Sequence, residues 1–68
     1  MRHIVQSSSI AVIEEMGRGT IIVEFVNGGK YEYFGVPLVV IQEFVGASSV
    51  GKFFNENIRG KYNEEKRS

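Results

Sequence analysis

The stretch TIIVEFVNGGKYEYF, residues 20 to 34, constrains the fold most. Residues 20–26 are rich in β-branched and aromatic side chains, and 30–34 repeat the alternation. Between them stand Asn27, Gly28 and Gly29, which accept positive φ at little cost. The pattern predicts a β-hairpin, and its register decides where Tyr31 and Tyr33 point. A three-residue Asn-Gly-Gly loop pairs Val26 with Lys30, Phe25 with Tyr31 and Val23 with Tyr33. Ile21, Val23, Phe25, Tyr31 and Tyr33 then share one apolar face. Ile22, Glu24, Val26, Glu32 and Phe34 share the other. A two-residue loop would mix carboxylates into the core face, so the longer loop is expected. Both tyrosines are read as core residues whose hydroxyls reach the sheet edge.

The flanking segments extend this unit. Residues 9–16 read as a strand, and Gly17-Arg18-Gly19 as the turn joining it to the hairpin. Gly35 and Val36 leave the sheet, and Pro37 suits the first turn of a helix. Residues 37–47 carry apolar side chains at 40, 41, 44 and 45, the spacing of one helical face. Gly46 is a stop signal. Ser48 or Ser49 can cap a second helix over roughly 50–58, with Phe53, Phe54 and Ile58 on its buried side. Gly60 ends it and Tyr62 packs back. Expected is an α+β fold: a three-stranded antiparallel sheet packed against two short C-terminal helices. The 68 residues form a single domain, folded over about 7–62, with a flexible tail over 63–68.

Composition excludes several classes of function. The chain holds no Cys, no Asp and one histidine, His3, in an N-terminus expected to be mobile. Neither a Ser–His–Asp nor a Cys–His arrangement can be assembled. Glu14 and Glu15 are adjacent, hence on opposite faces of a strand, which does not suit an acid/base pair. No enzyme activity, no cofactor and no metal site is expected. The longest apolar run, Val36–Ile41, is six residues, against the ~18 of a membrane span. The N-terminal residues lack the apolar core of a signal peptide, so no membrane association and a cytoplasmic location are expected.

One motif match is set aside. Residues 46–52, GASSVGK, fit the phosphate-cradling G-x-x-x-x-G-K pattern, but Phe53 stands where Ser or Thr must hold magnesium. A helical pattern precedes the motif where a strand is required. A weaker version remains: Ser48, Ser49 and Lys52 at a helix N-terminus suit a single phosphate group.

Net charge is zero, eight Lys and Arg against eight Glu, which is unlike a generic polyanion binder. The charge is uneven, however. Residues 52–68 hold five cations and three glutamates, and within them Lys52, Arg59, Lys61 and Tyr62 form a basic-aromatic cluster. The competing reading of the cluster is a solvated helix end.

Three strings occur in a distinctive order: SSSI near the start, VEFVNGGKYEYFGVP in the middle and GASSVGKFFNENIRGKY at the end. The central Y-x-Y is Tyr31 and Tyr33, followed by Val36-Pro37. The later S-x-G-x-F-F-N-x-x-I-R-x-x-Y is Ser49, Gly51, Phe53, Phe54, Asn55, Ile58, Arg59 and Tyr62. Over residues 7–62 the chain resembles the KTSC domain family. That family is named for its occurrence at the C-terminus of some lysyl-tRNA synthetases, and it also occurs as a stand-alone small protein in bacteria and their phages. The resemblance implies a small non-enzymatic binding module with RNA as ligand, carried here by Lys52, Arg59, Lys61 and Tyr62. The alternative is a protein-interaction or homodimerising module that uses Ile22, Val26 and Phe34.

Overall fold

The computed structural model describes residues 1–67. Seven elements follow one another: β1 (Arg2–Ile4), β2 (Ile10–Gly17), β3 (Thr20–Phe25), β4 (Lys30–Phe34), α1 (Leu38–Val45), α2 (Val50–Asn57) and β5 (Asn63–Lys66). The fold is α+β, but the sheet has five strands in the order β1-β2-β3-β4-β5, all antiparallel, where three were expected. Residues 2–4, expected to be mobile, pair with Val12–Glu14. Residues 63–66, expected to fray, pair with Tyr31–Phe34. Ser68 lies outside the described residues.

Both additional strands are edges, and β5 is exposed at every position. A strand without an apolar face has no hydrophobic period to announce it. It forms because the neighbouring strand already offers a row of backbone donors and acceptors. The charged sequence Asn-Glu-Glu-Lys also suits an edge that must not recruit further strands.

The central hairpin forms with a three-residue loop, but one residue earlier than expected. Phe25 N–H donates to Gly29 O (2.8 Å) and Gly28 N–H to Phe25 O (2.9 Å), with Gly28 at φ 98°. The loop is therefore Val26-Asn27-Gly28, and Asn27 Oδ1 accepts from Gly29 N–H (3.0 Å). Pairing becomes Val23 with Tyr31 and Ile21 with Tyr33, two residues away from the expected partners. A slip of two preserves every side chain's face, so Tyr31 and Tyr33 still point to the core side. The β2–β3 turn has Arg18 (φ 58°) and Gly19 (φ 78°) both left-handed, the geometry that matches strand twist.

The core lies between one sheet face and the two helices. A bulge at Ala11 places both Ile10 and Ile13 on that face. They are fully buried with Ile21, Val23, Val36, Phe44 and Ile58. Pro37 caps α1, its carbonyl accepting from Val40 and Ile41 N–H. Ile41 and Phe44 are the buried residues of α1, with Val40 and Val45 partly covered. Ser49 caps α2, Oγ accepting from Lys52 N–H (3.3 Å). Phe54 and Ile58 are buried as expected, Phe53 only partly, and Tyr62 packs back on the core.

The other sheet face carries no helix. Salt bridges cross it instead: Arg2 to Glu14 (3.9 Å) and Glu24 (4.0 Å), and Arg67 to Glu32 (3.0 Å). Among the described residues no helix is long and apolar enough to cross a membrane.

Candidate functional site

A concavity of about 600 Å³ opens where β3, β4 and β5 meet α2. The strand period brings Phe25, Tyr31 and Tyr33 to its floor, and β5 adds Glu64 and Lys66 at its rim. The opposite wall follows from helical spacing: Gly51, Asn55 and Arg59 stand four residues apart along and just beyond α2. Arg59 N–H donates to Phe54 O (2.9 Å), which closes the last turn and sets that side chain beside the sheet. Phe54 completes the floor. Its ring meets Phe25 (5.3 Å) and Tyr33 (5.6 Å) edge to face, and Phe25 meets Tyr31 in the same way (5.9 Å).

At one end of the cleft α2 closely approaches the segment that leads into β2. A Cβ at Gly51 would stand 2.9 Å from Ser9 Oγ and 3.5 Å from Ser7 Oγ. Ser7 Oγ in turn accepts from Ser9 N–H (3.1 Å) and Ile10 N–H (3.3 Å), a side-chain turn that launches β2. Ser9 O accepts from Val26 N–H (2.8 Å), fastening that turn to the hairpin tip.

The electrostatics are mixed. Arg59 and Lys66 face one carboxylate, Glu64, and none of the three forms a salt bridge among the described residues. By contrast, Arg2 and Arg67 are engaged on the other sheet face. Tyr33 is 2% exposed. Burial, and then the Glu64 carboxylate beside its hydroxyl, push the Tyr33 phenol well above its ordinary range, while Arg59 pulls weakly the other way.

The sequence-derived cluster is divided by the fold. Arg59 lines the cleft. Lys52 lines a neighbouring recess of about 330 Å³, walled largely by Ser7–Ser9, Ser48 and Ser49. Lys61 is exposed, and Tyr62 is half-buried against the core. Within the phosphate-loop lookalike, Ser49 is already used as the helix cap. The alternative face is also divided. Ile22 lies among the charged side chains of the uncovered face, Val26 is in the hairpin loop, and Phe34 is 37% exposed near the far end of β4. Asn55, Glu64 and Lys66 were missed as site residues. Asn55 was legible from its place four residues before Arg59, whereas the β5 pair had no such signal.

His3 stands on β1 with its Nε2 against Glu15 Oε2, outside the cleft. Among the described residues no group of three or more His, Cys, Asp or Glu could hold a metal ion.

The KTSC domain model matches residues 6–62. The chain belongs to the KTSC domain family. A KTSC domain protein from Yersinia pestis has a crystal structure similar to this one at TM-score 0.91, with 35% identity over 100% of this chain and 97% of that one. Lysine–tRNA ligases from Trichormus variabilis and Nostoc sp. are 45% and 43% identical over 49 residues. That stretch is 72% of this chain and 9% of each ligase. The matched KTSC residues stop before β5, so Glu64 and Lys66 lie beyond the family pattern.

Proposed function

We propose that this KTSC domain is a non-catalytic RNA-binding module whose site is the aromatic cleft. The observation that carries the reading is the convergence of Arg59, Lys66 and Asn55 on the part-exposed rings of Phe25 and Tyr31, which the buried Tyr33 and Phe54 support from beneath. Unstacked bases are held by aromatic edges and faces, while guanidinium and ammonium groups hold the phosphates. The likeness to a segment of lysine–tRNA ligases supports RNA as the polymer. The absence of a catalytic role is inferred from the cleft's side chains: no imidazole or thiol lines it, and its one carboxylate faces a phenol held neutral.

The test is a two-dimensional NMR titration of labelled protein with a mixed tRNA pool at two salt concentrations. Shifts should gather on Tyr31, Asn55, Arg59 and Lys66 and spare Lys61. With about two phosphate contacts to a single strand, from Arg59 and Lys66, affinity should fall roughly 7-fold between 50 and 200 mM salt. Arg59→Ala with Lys66→Ala should remove most of that salt dependence. If no resonance shifts even at low salt, the RNA reading is wrong, and the tumbling time of the same sample then tests for self-association.

A further inference from the structure

A carboxylate in a cleft that takes RNA needs an explanation, because it repels every phosphate. Glu64 is such a group: it is exposed on β5, directly across from Tyr33, and without a salt-bridge partner among the described residues. It can only accept hydrogen bonds. Its carboxylate stands at the rim of the aromatic floor beside the Tyr33 hydroxyl, and a carboxylate has acceptor sites for further donors besides that one. Among the four RNA bases, guanine alone presents two adjacent N–H donors on its Watson–Crick edge, at N1 and the exocyclic N2. Adenine and cytosine present one amino group beside an acceptor nitrogen, which would face the second carboxylate oxygen. Uracil presents one N–H between two carbonyls. Base-paired guanine has both donors occupied.

Resting on the RNA reading above, we infer that the cleft selects an unpaired guanine nucleotide, with Glu64 accepting from N1–H and N2–H. The base lies over the Tyr31 side of the floor, and Arg59 and Lys66 take its phosphates. Discrimination thus comes from β5, the strand outside the matched family residues.

The test compares four mononucleotides, GMP, AMP, CMP and UMP, with inosine monophosphate and the tRNA pool, by calorimetry and NMR. Wild-type protein should bind GMP at least about tenfold more tightly than the other three. Inosine monophosphate, which lacks the N2 amino group, should also lose about tenfold relative to GMP; this comparison needs no mutation. Glu64→Gln, at an exposed position, should reduce the guanine preference to about threefold or less by weakening GMP. Equal binding of the four nucleotides, inosine monophosphate equal to GMP, or an unaltered preference in Glu64→Gln would each overturn the inference. If the tRNA pool shifts the cleft resonances without guanine preference, this inference alone fails. If neither tRNA nor any nucleotide shifts them, the RNA reading fails with it.

Discussion

Gly19 is where the hairpin tip is locked to the entrance of α1, and Gly19→Ala measures that lock. Two costs add. At φ 78° an alanine occupies the left-handed region, worth about 1–2 kcal/mol. Its Cβ would also stand 3.0 Å from Val36 O and 3.3 Å from Val36 N. These are backbone atoms, so no rotamer change relieves the contact. Relief requires the two segments to part, which stretches the Val36 N–H bond to Gly19 O (2.9 Å), itself worth about 0.5–1.5 kcal/mol. The total is about 2–3 kcal/mol. A domain of this length has roughly 3–10 kcal/mol in all, so the loss is a large share. Gly60→Ala is the matched control: its φ is 75° and nothing lies within 4 Å of the built Cβ. It carries the conformational cost alone. Urea denaturation followed by circular dichroism should place Gly19→Ala about 1 kcal/mol below Gly60→Ala, with thermal midpoints some 4–8 °C apart. Equal stability of the two variants would refute the close-approach argument.

Two further outcomes follow from the packing and the charges. Phe54→Ala removes a ring that touches Phe25, Tyr33 and Phe44 and is 6% exposed, so it should cost about 3–5 kcal/mol and leave much of the chain unfolded at 37 °C by circular dichroism. The Tyr33 phenol is raised above its ordinary value of 10.0, chiefly by burial, so the folded state holds that proton more tightly than the unfolded state. Its contribution is complete below pH 10.0 and is lost as pH rises beyond it; alkaline denaturation should begin there, and Tyr33→Phe should blunt that pH dependence.

The parts of the fold that were legible in the sequence are those that bury apolar surface. Thr20–Phe34 carries its own alternation and turn residues, and Val40, Ile41, Phe44 and Val45 carry a helical period. A two-residue error in hairpin pairing left the core face intact, because the strand period is itself two. Of the site, Arg59 and Lys52 were read as basic residues near a helix, but their separation into two recesses was not legible. Lys61 and Tyr62 are neighbours of Arg59 in sequence, yet one turns to solvent and the other to the core.

Local sequence thus determined the central hairpin, the two helices and the face on which Tyr31 and Tyr33 lie, because each of these follows from side-chain periodicity and short-range turn chemistry. Tertiary structure decided the rest. β1 and β5 have too little apolar surface to be strands alone, and they exist because β2 and β4 present unpaired backbone to them. Addition of β5 places Glu64 and Lys66 opposite Tyr33 and Tyr31, while α2 closes over Ser7 and Ser9 through the missing side chain of Gly51. The cleft is made by those two long-range approaches. The tyrosines accordingly belong to both readings: their rings complete the core face, and the same rings lie at the floor of the cleft.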